Sequence, residues 1–415
     1  MRIRCWRTAL SLPAAVVLLA LAGPAAGQSV PPPTPVPPAG SPSPYPTALE
    51  TPVPSAEPPR LTAAAAALGD LDTGQVLWQR KGAEHRPIAS VTKIMTALLV
   101  LETTDPREVV TAGAAAAAQS GAELGLEEGE AVPVRDLLRA LMLQSANDAA
   151  VALAEHVAGS VEAFVDGMNR RARQLGLEDT LFASPNGLDD SGYSTARDLV
   201  ALTTEAFAQP GFARLVSTRF HRIPGADDEE PRRIQNRNAL LWLYPGAMGV
   251  KTGYTVSAGF CLVAAAERGG LQLVGVILGA PEEAFTDGAA LLNHGYAAYE
   301  RRTVIADGQR LGPVEVGDRA VPAVAGAAVD ALLSRGEPVS LEIRPEPGLG
   351  LPIDDGQPLG VVEATADGVS LGEAPLLAAA SVSRDDPGEE QDPWWLRALE
   401  AVGRAFARVV RAIFG

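Results

Sequence analysis

The chain has 415 residues, 47% of them apolar, enough for two or three domains with real cores. Its formal charge is −16; residues 1–27 and 394–415 each carry +3, which leaves −22 on the body between them. So acidic a body excludes nucleic acid as a partner and suits anionic lipid poorly, so any membrane attachment must come from a separate segment.

In chain order, Arg2, Arg4 and Arg7 precede an apolar run over 9–22 and the small residues Ala25, Ala26 and Gly27. This predicts a secretory signal peptide over 1–27, too short in its apolar part to span a bilayer, and hence an exported protein. Residues 28–60 are rich in Pro, Ser, Thr and Ala and predict an extended linker. Two strands are expected at 64–71 and 75–79, joined across Asp72-Thr73-Gly74. Helical spacing then takes over after Pro87, with Ile94, Ala97, Leu98 and Leu101 on one face, and recurs over 134–143, 149–158, 161–175 and 195–208. Strands return at 249–255, 260–266 and 271–278, and a helix is expected over 285–301. Cys5 leaves with the leader, so Cys261, in an apolar run, can form no intrachain disulfide and is expected in the core.

This order predicts an α+β fold over 61–300: an antiparallel sheet built from both ends of the domain, with helices packed against it and inserted between its strands. Residues 301–383 carry short alternating runs broken by Gly, Pro and Asp, which predicts a small all-β domain. An acidic linker follows at 384–393. Over 394–415, Trp395, Leu399, Val402, Phe406, Val409, Val410 and Ile413 fall on one helical face, with Arg397, Arg404, Arg408 and Arg411 opposite. Four arginines do not suit a spanning helix, whereas the amphipathic pattern fits one lying in a membrane interface; packing on the β-domain is the alternative.

The chain holds only three lysines, Lys81, Lys93 and Lys251, against 31 arginines. Where arginine serves for every fixed charge, a surviving lysine marks a place where an amine must give up its proton, which guanidinium cannot do. Lys93 closes Ser90-Val91-Thr92-Lys93, and residues three apart on a helix share a face, so Ser90 reads as a nucleophile and Lys93 as its base. Ser145-Ala146-Asn147 follows a helical run and offers a hydroxyl and a carboxamide from a turn. Lys251-Thr252-Gly253 lies on a strand, where alternation puts Lys251 and Gly253 on one face and Thr252 on the other unless the strand twists. Gly253 leaves room for a substrate backbone. Lys81 reads as a solvated loop residue. Each triplet alone is an ordinary capping serine, turn or hairpin.

Taken together, in the order S-x-x-K, S-x-N, K-T-G, they resemble the serine penicillin-recognising enzymes, and within these the D-alanyl-D-alanine carboxypeptidase family of low-molecular-weight penicillin-binding proteins. The stretches Pro87-Ile88-Ala89-Ser90-Val91-Thr92-Lys93, Ser184-Pro185-Asn186-Gly187-Leu188, Tyr193-Ser194-Thr195 and Gly249-Val250-Lys251-Thr252-Gly253-Tyr254 are similar to that family too, over roughly 62–280.

The resemblance implies a peptidoglycan stem pentapeptide ending in D-Ala-D-Ala as substrate and β-lactams as covalent inhibitors. It also implies a site on the outer face of the cytoplasmic membrane, reached through the C-terminal helix. Ser90 would attack the penultimate D-alanine carbonyl, Lys93 would take its proton and Ser145 would relay one to the leaving group. Asn147 would orient the substrate amide and Lys93, and Lys251 and Thr252 would hold the terminal carboxylate, with Gly253 beside the peptide. The N–H groups of Ser90 and Tyr254 would form the oxyanion hole. Asn186 stands where many members carry histidine and receives no role.

A class A β-lactamase shares the three motifs, but Glu178-Asp179-Thr180-Leu181 is followed by Phe182 where that group has asparagine. A catalytically inert peptidoglycan-binding scaffold is the alternative outside enzymes; it predicts damaged motifs. No metal or cofactor is expected, since His85, His156, His221 and His294 include no His-Glu-x-x-His pair.

Overall fold

The computed structural model describes residues 57–224, 230–282 and 284–384. The expected signal peptide, most of the Pro-rich linker, the acidic linker beyond 384 and the C-terminal amphipathic helix lie outside the described residues.

The first domain is built on a five-stranded antiparallel sheet. Its strands are β1 (Ala65–Asp70), β2 (Val76–Arg80), β3 (Ala247–Thr255), β4 (Gly259–Arg268) and β5 (Leu271–Ala280), in the order β2-β1-β5-β4-β3. The start of the domain thus pairs with its end: Ala65 lies opposite Leu278 and Asp70 opposite Leu273. Strand β3 closes the sheet, with one edge free of strand partners among the described residues.

Both faces of the sheet are covered, which is why residues 65–69 of β1 read as an apolar run rather than an alternating one. Ala65, Ala67, Val263, Ala265, Val274 and Val276 face the large helical core. Ala66, Leu68, Leu262, Ala264, Leu273 and Ile277 face a second core, closed by Leu291 and Leu292.

The helical core is centred on α1 (Lys93–Thr103), whose Ile94, Met95, Ala97, Leu98 and Val100 are fully buried. Around it lie α2 (Val134–Arg139), α3 (Asn147–Ala158), α4 (Val161–Gln174) and α5 (Ala196–Ala208), inserted between β2 and β3 as the pattern predicts. The run expected over 134–143 is α-helical only to Arg139. It widens into a π-turn over Ala140–Gln144 and ends at Ser145 in the left-handed region (φ 67°), so the chain reverses directly into α3. Such widened turns concentrate at functional sites.

The last helix of this domain, α6 (Phe285–Ala298), stops three residues before the expected end. Residues Tyr299–Ile305 form a strand paired with Val329–Ser334. Cross-strand pairing outweighs the helical pattern there, and Tyr299 Oη anchors the junction by donating to Leu77 O at 2.6 Å. Beyond it, a four-stranded antiparallel sheet runs in the order Ala323–Ala325, Val369–Ala378, Pro358–Ala366, Ser340–Pro345. It encloses a separate core of Ile305, Val321, Leu359, Val362 and Leu376.

Candidate active site

Ser90 lies in a single 3₁₀ turn (Ala89–Thr92) that runs straight into α1, so Lys93 is the first residue of the long helix. The turn is tight: Ala89 has φ 48°, sparsely populated for a residue with a side chain. Gly187, at φ 78°, packs directly against this turn: a Cβ there would stand 2.0 Å from Ala89 O. Only glycine fits at that contact.

Lys93 is fully buried, and its Nζ lies 2.9 Å from Ser90 Oγ, 2.9 Å from Asn147 Oδ1 and 2.6 Å from Asn186 O. Three oxygens thus surround one nitrogen, with the Ser90 hydroxyl within proton-transfer distance. Burial, first, and then the charges of Lys251 and Arg237 hold the Lys93 amine well below the ordinary lysine range; Asp148 opposes them. A neutral amine can accept the hydroxyl proton, whereas an ammonium cannot.

The orientation of Asn147 follows from its neighbours. Its Nδ2 donates to Ser120 O at 2.9 Å, which turns Oδ1 toward Lys93. The backbone around it is pinned by Asp148, a buried carboxylate that accepts from the N–H groups of Leu124, Gly125, Leu126 and Ala149 at 2.8–3.0 Å. Ser145, buried in its left-handed turn, stands two residues before Asn147.

From the sheet, β3 brings Gly253 against the nucleophile turn. A Cβ on Gly253 would stand 3.1 Å from Ile88 O, Ser90 N and Val91 N, so its absence lets the edge strand and the turn approach. Lys251 and Gly253 lie opposite Val263 and Cys261, on the face toward the helical core, while Thr252 lies opposite Leu262, in the other row. Lys251 is buried, and its Nζ donates to Thr252 O at 2.6 Å. Thr252 is half-buried on the free strand edge, and Tyr254 next to it is partly exposed.

A family profile described as D-alanyl-D-alanine carboxypeptidase matches residues 53–282, and a second, described as the penicillin-binding protein 5 C-terminal domain, matches 299–384. The D-alanyl-D-alanine carboxypeptidase DacF of Bacillus subtilis is 32% identical over 336 residues, which cover 78% of this chain and 86% of that protein. The chain belongs to the D-alanyl-D-alanine carboxypeptidase family. The DacC carboxypeptidase of Escherichia coli is 33% identical over 351 residues, 79% of this chain and 86% of that one. Penicillin-binding protein 5 of Haemophilus influenzae, a solved structure, is 29% identical with a TM-score of 0.61, covering 79% of this chain and 99% of that one.

Two participants in this carboxypeptidase site escaped the sequence reading. Asn186 contributes its main-chain carbonyl to Lys93, a role any residue type can fill, so the missing histidine does not bear on it. Its side chain is used separately, Nδ2 donating to Gln119 Oε1 at 3.0 Å and Oδ1 accepting from Leu188 N at 3.1 Å. Arg237 is the other: its N–H donates to Leu143 O at 2.9 Å, and its guanidinium charge acts on both Lys93 and Lys251. The polar triplet Asn236-Arg237-Asn238, set directly before the apolar Ala239-Leu240-Leu241, was the available signal.

Cys261 lies in the core behind Gly253, where burial pushes its thiol up to about 11 and leaves it unreactive.

Proposed function

We propose that Ser90 attacks the carbonyl carbon of the penultimate D-alanine of a stem pentapeptide while Lys93 Nζ takes the hydroxyl proton. The chain is a serine-type D-Ala-D-Ala carboxypeptidase, a hydrolase of the cell wall that β-lactams acylate. In this reading the tetrahedral oxyanion lies between the N–H groups of Ser90 and Tyr254. Ser145 passes a proton to the departing D-alanine nitrogen as the C–N bond breaks. Water then cleaves the Ser90 ester, and the hydroxyl regains its proton. The observation that carries the reading is the fully buried Lys93 amine, 2.9 Å from Ser90 Oγ.

Lys251 and Thr252 hold the terminal carboxylate, with Arg237 adding positive charge to the same end of the cleft. Thr252 lies on the row turned away from Ser90, but β3 is an edge strand, so a ligand beside its free edge can meet the hydroxyl. The intact, mutually bonded Ser90–Lys93–Asn147 group speaks against an inert scaffold. The rival β-lactamase reading needs a carboxylate beside the deacylating water; Glu178 is exposed and Phe182 is buried in the core. The test is incubation with a D-Ala-D-Ala pentapeptide: stoichiometric release of one D-alanine supports the reading, and an unchanged peptide refutes it.

A pH dependence follows. Burial, reinforced by Arg237, lowers the Lys251 amine to about 7. Only its protonated form attracts a carboxylate, and the protonated fraction falls as pH rises through that value. Because kcat/KM reports groups of the free enzyme, it should decline about tenfold per unit above pH 7. A profile flat to pH 9 would contradict the role of Lys251.

We further propose that 1–27 is a signal peptide and that 394–415 holds the exported enzyme at the outer face of the cytoplasmic membrane. Among the described residues no helix is long and apolar enough to cross a bilayer, and the +3 charge of 394–415 is opposite in sign to the body. Deleting 394–415 should move the protein from the membrane pellet to the soluble fraction with catalysis retained. A truncated protein that still sediments with membranes would refute the anchor.

A further inference from the structure

We infer that the cleft rim beyond Tyr254 reads the third residue of the stem peptide, with Asp190 receiving a positively charged amine on that side chain. The inference rests on the proposed reading, which fixes the direction of the substrate: its carboxylate at Lys251 and its scissile carbonyl beside Ser90 and Gly253.

Along the free edge of β3 the peptide then runs antiparallel to the strand, its earlier residues toward Thr255. At about 3.4 Å per residue, the third residue comes level with Tyr254 and Thr255, and its side chain reaches past Val256. Two features of that rim point to a ligand with an apolar stem and a cationic end. Leu188 and Val256 are 49% and 66% exposed, apolar side chains left in solvent at the mouth of a polar site. Asp190 Oδ1 accepts from Thr255 Oγ1 at 3.3 Å, which ties the loop after Gly187 to the end of β3.

The two neighbouring aspartates are not equivalent. Asp189 Oδ1 is occupied within its own turn, accepting from Ser191 N at 3.0 Å and Ser191 Oγ at 2.7 Å. Asp190 is exposed and has no cation within ion-pair distance among the described residues. The loop that carries it starts at Asn186, whose carbonyl holds Lys93 and whose side chain holds Leu188 N. The start of that loop is therefore held by the same residue that holds the base, and Thr255 Oγ1 holds the carboxylate itself. An uncapped diamino residue matches this rim in stem length and charge; a residue whose amine is acylated lacks the charge.

The test uses the full-length protein and two pentapeptides ending in D-Ala-D-Ala, alike except that the third-residue lysine carries a free or an acetylated ε-amine. Wild type should show a kcat/KM about two- to fivefold higher for the free amine, the range expected of a solvent-exposed ion pair. That ratio should shrink toward one in 0.5 M salt and reach one in Asp190→Asn. Equal rates on the two peptides in wild type, a preference that survives Asp190→Asn, or a variant that weakens both peptides alike would overturn the inference. Failure of wild type to release D-alanine from either peptide would instead overturn the carboxypeptidase reading itself.

Discussion

Lys93→Arg should leave a folded protein that no longer becomes acylated by penicillin and releases D-alanine at a rate reduced by about 10⁴–10⁶-fold, the scale on which nucleophile–base units fail when one member is lost. Charge is retained in this variant, so a purely electrostatic role for Lys93 predicts only a modest loss. The two outcomes separate because guanidinium cannot deprotonate in a protein. Geometry adds to the effect. The amine sits among Ser90 Oγ, Asn147 Oδ1 and Asn186 O at 2.6–2.9 Å, contacts that a planar five-donor group meets less well than a tetrahedral amine. Near-normal acylation of Lys93→Arg, followed with a fluorescent penicillin, would show that the amine is not the base.

Ser90→Ala should abolish both penicillin labelling and D-alanine release, with a loss of the same order. Stability should change little, since Ser90 is half-buried and among the described residues its side chain makes only the 2.9 Å contact to Lys93 and a long 3.4 Å one to Asn186 O. Circular dichroism and thermal unfolding check that the variant folds, so that a dead enzyme is attributed to the lost nucleophile. Because Lys93 Nζ keeps Asn147 and Asn186 as partners, the site should retain substrate affinity. Slow residual turnover by Ser90→Ala at more than about 1% of wild type would place the nucleophile elsewhere.

The local part of this site was legible in the chain, because Ser90 and Lys93 lie one helical turn apart and lysine scarcity marks both Lys93 and Lys251. Ser145 and Asn147 were also recognisable as a turn between helices, since an apolar helical run stops just before them. The joining of Ser90 to Gly253 depends instead on the sheet order β2-β1-β5-β4-β3, in which strands some 200 residues apart pair, and that of Lys93 to Asn147 on the packing of two helices. Spacing says nothing about such contacts; the order of motifs, matched to a family, supplied them. Main-chain participants were invisible for a different reason. Asn186 acts through its carbonyl and Gly187 through the atoms it lacks, and neither leaves a side-chain signature. The misjudged end of α6 is a tertiary effect: residues 299–301 continue the helical pattern, yet a partner strand 30 residues later claims them. The widened turn at Ala140–Gln144 likewise has no sequence mark, although it leads through the left-handed Ser145 into the helix that begins at Asn147.

Every step proposed for this enzyme begins with a dehydrated, uncharged amine drawing a proton off the hydroxyl beside it. The most direct measurement is mass spectrometry of the penicillin-treated protein after proteolysis. A single adduct on the Ser90 peptide, absent when Lys93 carries the arginine substitution, is the predicted result. An adduct on any other residue, or an undiminished one in the arginine variant, would contradict it.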